Sequence, residues 1–248
     1  MTTPENIVFE KLGRIAILKI SNPPQNYLKS PSFIPIDFLN ELSKQEDING
    51  ILISGVGRHF SAGADVNNLF ELAKDSNHLT KEMSDGAELL EAISSLHIPI
   101  VAAINGVCWG GGLEIALACH IRIASAKALF AFPEVNSNLM PGLGGIYRVT
   151  NLTGTADTLA LLMSGETFDA ERALQLHIVD QLTSENVLDY ALQYINNLVG
   201  SKPRSVITSI MHAIHNSKKL PLQEALKEET RMFCELALTE AALRKSEA

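Results

Sequence analysis

Asn105-Gly106-Val107-Cys108-Trp109-Gly110-Gly111-Gly112-Leu113-Glu114 is the stretch on which the fold turns. It follows the fully apolar run of residues 98–104 and opens a helix-like segment over 111–118. A buried strand that ends in glycines and passes into a helix is one unit of an alternating α/β pattern. The same grammar occurs earlier, in His59-Phe60-Ser61-Ala62-Gly63-Ala64-Asp65. That turn follows a short buried strand at 50–54 and leads into a helix over about 66–73. Two such loops can aim two backbone N–H groups at one point, the arrangement that holds a developing oxyanion.

Outward from these turns the alternation continues. Apolar runs at 7–10 and 14–20 flank Leu12-Gly13 and predict a hairpin. Residues 21–26 form a loop by composition, and 31–44 are helix-like with Pro35 interrupting the pattern. The polar stretch 75–80 reads as a mobile loop, and 87–96 as helix. Strands are predicted at 121–124 and 129–132. Alternating strands and helices imply an α/β fold with a largely parallel sheet. From about residue 186 onward, segments 186–199, 204–216 and 222–243 carry helical spacing only, with Pro203 and Pro221 at helix starts. The expected division is a core over 1–190 and a helical region over 191–248. No fixed-period repeat is visible in the linear sequence.

Composition narrows the function. The 248 residues are 46% hydrophobic and 19% charged, enough to build a sizeable core. Net charge is −8 and no Lys/Arg block stands out, which argues against nucleic-acid binding. Cys108, Cys119 and Cys234 are too sparse for a disulfide framework, and no Cys/His cluster suggests a metal. Residues 1–10 lack a leader pattern, and no apolar run reaches membrane-spanning length. The expectation is a soluble, cytoplasmic protein with no membrane partner.

Glycines 110–112 let the backbone approach a ligand, and a helix starting there points unpaired N–H groups outward. The same glycines would also serve tight helix–strand packing. Glu114 lies in the first turn of that helix, where a carboxylate either complements the helix dipole or acts as a base beside the anion site. Glu134 follows the strand at 129–132, delivered by Pro133, and is otherwise a solvated turn acid. Two glutamates near one apolar pocket would split their proton affinities. Pro141-Gly142-Leu143-Gly144-Gly145 is a third glycine-rich turn, able to close a pocket or pack on the sheet, and Arg148 after it suits an internal ion pair.

Together these segments resemble the crotonase superfamily, the enoyl-CoA hydratase/isomerase fold. The resemblance runs from about Ile7 to the C-terminal helices. It rests on Phe60-Ser61-Ala62-Gly63-Ala64-Asp65, Asn105-Gly106 through Gly112-x-Glu114, Phe132-Pro133-Glu134 and Pro141-Gly142-x-Gly144-Gly145-x-x-Arg148. It implies a spiral of repeated ββα turns with a C-terminal helical trimerisation region, assembled as a homotrimer or hexamer. It implies that Ala64 and Gly111 supply oxyanion-hole N–H groups to a thioester carbonyl, and that Glu114 and Glu134 occupy the two acid/base positions. Substrate contacts are implied at Ala62, Asp65, Val66, Trp109, Gly110, Met140 and Gly142, with Lys29 toward the phosphates of coenzyme A. Coenzyme A enters as part of the substrate, with no separate cofactor and no metal.

Members that hydrate a double bond resemble this chain in having both glutamates, whereas isomerase-type members often keep only the later one, so the resemblance tilts towards hydration of a 2-enoyl-CoA to a 3-hydroxyacyl-CoA. Other reactions of the superfamily are isomerisation, decarboxylation and thioester hydrolysis, on coenzyme A or acyl-carrier-protein esters, and one alternative of a different class is a non-catalytic acyl-CoA-binding subunit. The chain departs from the pattern at Asn22, where a basic residue is frequent, at the bulky Tyr27, and at His120, where an aspartate is common. His120 reads as a helix-end histidine facing the C-terminal dipole. No long basic tail precedes Ala248.

Overall fold

Strand β1 (Ile7–Leu12) and β2 (Ile15–Ile20) pair antiparallel, with Leu12 opposite Ile15, and Gly13 turns the chain at φ +57°. A computed structural model describes residues 3–246. Met1, Thr2, Glu247 and Ala248 lie outside it, so the expectations for residues 1–10 and for the tail before Ala248 fall partly outside the described residues. The chain continues through α1 (Ile36–Lys44), β3 (Gly50–Gly55), α2 (Val66–Leu72), α3 (Ser76–Ser95), β4 (Ile100–Ile104), β5 (Val107–Trp109) and α4 (Gly111–Ala118). Then come β6 (Ile121–Ser125), β7 (Leu129–Ala131), a 3-10 turn over Pro133–Ser137, α5 (Gly145–Ser164), β8 (Phe168–Asp169), α6 (Ala170–Gln175) and β9 (Gln181–Thr183). Helices α7 (Val187–Val199), α8 (Arg204–Lys219) and α9 (Leu222–Ser246) close the chain.

Six strands form one sheet in the order β1-β2-β3-β4-β6-β9, parallel from β2 onward. The middle strand β4 is buried along its whole length, as a parallel strand covered on both faces must be. A second, smaller sheet runs β5-β7-β8. Ser61 extends it by bridging Cys108, which pairs with Phe130, which pairs with Phe168. The turns that start at β3, β4 and β6 therefore each place one strand in the large sheet, one extended segment in the small sheet, and then a helical element.

This spiral explains why no period shows in the linear sequence. Ile53, Ala102 and Arg122 sit on one rung of the large sheet. Forty-nine residues separate the first two, but only twenty separate the second pair. The excess in the first turn is α2 and α3.

The expected mobile loop at 75–80 is instead the start of α3. Asp75 caps it, accepting from the Asn77 and His78 N–H groups at 3.0 and 3.2 Å. The polar composition there belongs to the exposed side of a helix whose other side buries Leu89, Leu90 and Ile93. Pro35 does not break α1 but stands at its N-cap, ahead of the first helical residue.

Helix α7 spans the boundary expected between residues 190 and 191. Its buried residues Val187, Ala191, Ile195 and Val199 recur every four positions, an apolar stripe laid on the large sheet. A Cβ on Gly50 would stand 2.7 Å from Ile195 Cδ1, so α7 belongs to the packed core. Helix α8 still joins this core through Ile207 and Met211, and α9 differs from both. On α9 Met232 is buried, while Phe233 and Leu238 stay 70% and 72% exposed in the single chain.

Candidate active site

Three hydrogen-bonded layers shape the first glycine turn. The fully buried Asn26 donates from Nδ2 to the carbonyls of Val56 (2.9 Å) and His59 (2.7 Å), and its Oδ1 accepts the Asn22 N–H. Ser61 Oγ donates to Asn26 O at 2.7 Å and accepts the Gly63 N–H at 3.1 Å. Leu28 N–H donates to Gly63 O at 2.9 Å in a parallel bridge centred on Leu28 and Ala64. That pattern turns the Ala64 N–H away from Leu28.

The second turn is stitched to the first. Trp109 N–H donates to Ser61 O, and Gly110 N–H to Ala131 O, both at 3.0 Å. Gly63 holds φ +83°, and a Cβ on it would stand 2.7 Å from Trp109 O and 3.1 Å from Gly111 N. A Cβ on Gly111 would lie 3.9 Å from Ala64 N. The two N–H groups named from sequence are therefore neighbours. Among the described residues neither has a hydrogen-bond acceptor. Gly111 opens α4, where an unpaired N–H is intrinsic to the helix start.

The three glycines at 110–112 divide their tasks. Gly112 serves packing, since a Cβ there would stand 2.5 Å from Ser61 O. Gly111 carries the unpaired N–H. Gly110, at φ +49°, makes room for Glu134, whose Oε1 would lie 2.7 Å from any Cβ at this position.

The two glutamates come from different elements, Glu134 lying against Gly110 and close enough to Glu114 for their charges to interact. Glu114 sits in the first turn of the wholly buried α4 and is 2% exposed. Its Oε1 accepts the N–H groups of Leu143 and Gly145, each at 2.8 Å. Burial raises its proton affinity, while these N–H groups and the Arg148 guanidinium oppose the rise. Glu134 lies half-buried in the 3-10 turn, and its Oε2 is buried with no hydrogen-bond partner. Burial pushes Glu134 up to about 7, and the charge of Glu114 adds to the rise. The two unpaired N–H donors thus have Glu134, a group able to hold or release a proton near neutrality, beside Gly110, with Glu114 as its charged neighbour.

Other expected residues take more specific positions. Asp65 caps α2, accepting from the Asn67 and Asn68 N–H groups at 2.9 and 3.4 Å, so its carboxylate fixes the chain just after Ala64. Ala62 N–H is tied to Gln25 O at 2.9 Å. Val66 and Met140 are exposed, Met140 at 69%. Trp109 keeps its indole Nε1 buried and unpartnered. Gly142 packs against Met83 of α3, whose Cε fills the space that a Cβ at this position would need. Lys29 is exposed beside Glu5, Nζ to Oε1 3.7 Å. Asn22 donates from Nδ2 to Tyr27 O at 2.9 Å, so it serves the loop itself.

His120 does not act as a cation at a helix end. Its Nδ1 accepts the Ile100 N–H at 3.0 Å, and burial lowers its pKa to about 4, so the imidazole is neutral. The anticipated internal pairing of Arg148 is real: Nη1 donates to Leu143 O at 2.9 Å, and Nη2 lies 3.9 Å from Glu91 Oε2. The grip of Leu143 and Gly145 on Glu114 had no sequence signal beyond the glycines of the third turn. Among the described residues, no group of three or more His, Cys, Asp or Glu side chains could hold a metal ion. No helix among them is long and apolar enough to cross a membrane. A cleft of about 500 Å³ lined by Ser54, Asn105 and Leu188 contains none of the expected site residues.

A fold of this kind, with paired N–H groups and two carboxyls, defines a class. The family model described as enoyl-CoA hydratase/isomerase matches residues 10–246, and the chain belongs to that family. It is 35% identical over 233 residues to a probable enoyl-CoA hydratase of Bacillus subtilis, covering 92% of this chain and 89% of that one. It is 30% identical over 239 residues to the short-chain-enoyl-CoA hydratase of Clostridium acetobutylicum, covering 95% and 90%. A crystal structure of an enoyl-CoA hydratase subunit I from Geobacillus kaustophilus superposes with a TM-score of 0.84 at 30% identity, over 96% of this chain and 92% of that one. The crotonase fold is thereby shown.

Proposed function

We propose that this protein hydrates 2-enoyl-CoA thioesters to 3-hydroxyacyl-CoA. The observation that supports the reading is that Glu134 lies against Gly110, next to the unpaired Gly111 N–H and its neighbour Ala64 N–H, and within reach of the charge of Glu114. The names of the Bacillus and Clostridium relatives agree with it.

In this reading the thioester carbonyl oxygen accepts the Ala64 and Gly111 N–H groups. Negative charge gathers on that oxygen when a nucleophile adds to the β-carbon, and each donor of this kind is worth about 3–4 kcal/mol in the transition state. Glu114, anchored through Oε1, orients water with its other oxygen. The water oxygen bonds to the β-carbon as its proton passes to the Glu114 carboxylate, which returns it after product formation so that Glu134 is reprotonated. Glu134 delivers a proton to the α-carbon as the enolate collapses. Its affinity near pH 7 suits that role, because the acid form remains available at neutrality. Placed carboxyl groups contribute roughly 10²–10⁴-fold each.

Lys29 is proposed to meet the phosphates of coenzyme A by swinging from Glu5, a surface pair of little strength. A raised KM for CoA esters, unmatched for pantetheine esters, in Lys29→Met is the corresponding test. Assembly is proposed as a trimer or a pair of trimers, supported by the exposed apolar residues of α8 and α9. Ultraviolet assay of a series of enoyl thioesters tests the reaction. Turnover lost in Glu134→Gln supports it, and undiminished turnover in that variant refutes it.

A further inference from the structure

Leu143 is held from both ends of its backbone. Its N–H donates to Glu114 Oε1 at 2.8 Å, and its carbonyl accepts from Arg148 Nη1 at 2.9 Å. Gly144, between the two N–H groups that grip Glu114, holds φ +87°, and a Cβ there would lie 2.6 Å from Arg148 Nη1. The absent side chain is what lets the guanidinium sit beneath the turn. Arg148 is only 14% exposed along its side chain.

The contacts continue away from the site. Arg148 Nη2 lies 3.9 Å from Glu91 Oε2 on α3. Glu91 Oε1 pairs with Lys219 Nζ at 2.9 Å, and Lys219 is the last residue of α8. One line of contacts therefore runs from Glu114 through the Leu143 peptide, Arg148 and Glu91 to the end of α8, next to its junction with α9.

We infer that Arg148 is a positioning residue for Glu114, holding the Leu143–Gly145 turn around its carboxylate, and that Glu91 and Lys219 couple this hold to the C-terminal helices. The inference rests on the hydratase reading for its kinetic consequence only. The charged and titratable groups facing Arg148 are Glu91 on α3, Glu114 on α4, Cys119 after it and Tyr147 on α5, with Lys219 beyond Glu91. Those facing Glu114 are Arg148 and Glu134. Arg148 favours the ionised form of Glu114, so its loss raises the proton affinity of that carboxyl.

The test uses the full chain with Arg148→Met, Arg148→Lys and Lys219→Met. The readouts are kcat, KM, the pH profile of kcat/KM, and carboxyl-carbon NMR titration of labelled glutamate, with the Glu114 signal identified by its absence in Glu114→Gln. Arg148→Met is expected to lower kcat by about 10²-fold, the scale of a small misplacement of a reacting group. KM should change little, and the Glu114 titration should move to higher pH. Arg148→Lys should return the titration toward the original position while restoring kcat only in part. Lys219→Met, on the surface, should fold normally and give a smaller loss in kcat. Unmoved titration and unmoved kcat in Arg148→Met and Lys219→Met overturn the inference. A titration that moves in a protein inactive on every enoyl thioester sinks the hydratase reading but leaves the coupling standing.

Discussion

Gly110 and Glu134 exclude each other's side-chain space: a Cβ on Gly110 would stand 2.7 Å from Glu134 Oε1. The glycine keeps the carboxyl beside the start of α4. Gly110→Ala forces Glu134 aside and also burdens a residue at φ +49°. Strain of this kind costs about 1–3 kcal/mol. Turnover in Gly110→Ala is expected to fall about 10²-fold or more, with a melting temperature lower by several degrees. Kinetics together with calorimetry check both parts, and a fully active variant removes Glu134 from the chemistry.

The ionisation of Glu134 predicts a stability effect of definite sign. Its folded-state value of about 7 lies above the ordinary 4.5. The folded chain holds that proton more tightly than the unfolded one, so the contribution favours folding at low pH and is lost as pH rises from 4.5 to about 7. Above that range a buried charge costs on the order of 1–3 kcal/mol, some solvent access being allowed for. Glu134→Gln cannot ionise. It should melt above the parent at pH 8 and almost with it near pH 4.5, as thermal melts at the two values would show.

Asp65 bears on the site through its cap. Asp65→Ala leaves the Asn67 and Asn68 N–H groups without their acceptor, a loss of about 1 kcal/mol. Because Ala64 is the preceding residue, turnover is expected to drop by up to about tenfold, equivalent to ~1.4 kcal/mol. Asp65→Asn, which caps as well, should recover most of it. Equal losses in both variants would point to a direct role for the carboxylate in binding.

Phe233 and Leu238 on α9 are 70% and 72% exposed in the single chain. Covering side chains of this size yields about 1.5–3 kcal/mol each. Light scattering should find particles of three or six times 27.0 kDa. Phe233→Glu combined with Leu238→Glu should yield smaller species. A parent protein that runs as a monomer contradicts the proposed assembly.

The strands and glycine turns were legible because their chemistry is local. An apolar run such as 100–104 and the glycines that end it announce a buried strand and a close approach without outside help. The start of α3 was not legible, since a polar surface helix and a polar loop share a composition and differ here by the cap at Asp75. His120 misread for a related reason. Its sequence neighbours suggest a helix end, but its actual partner is the Ile100 N–H, twenty residues away. The two glutamates could be nominated from sequence. The grip on Glu114 from Leu143 and Gly145 arises only when the spiral brings α5 against α4.

Mass analysis of the product formed from a series of 2-enoyl-CoA thioesters tests the central claim most directly. The account predicts loss of the conjugated-enoyl absorbance, a product heavier by one water with the thioester intact, and collapse of the rate in both Glu114→Gln and Glu134→Gln. A product of unchanged mass, a freed thiol, or no turnover on any chain length would contradict it.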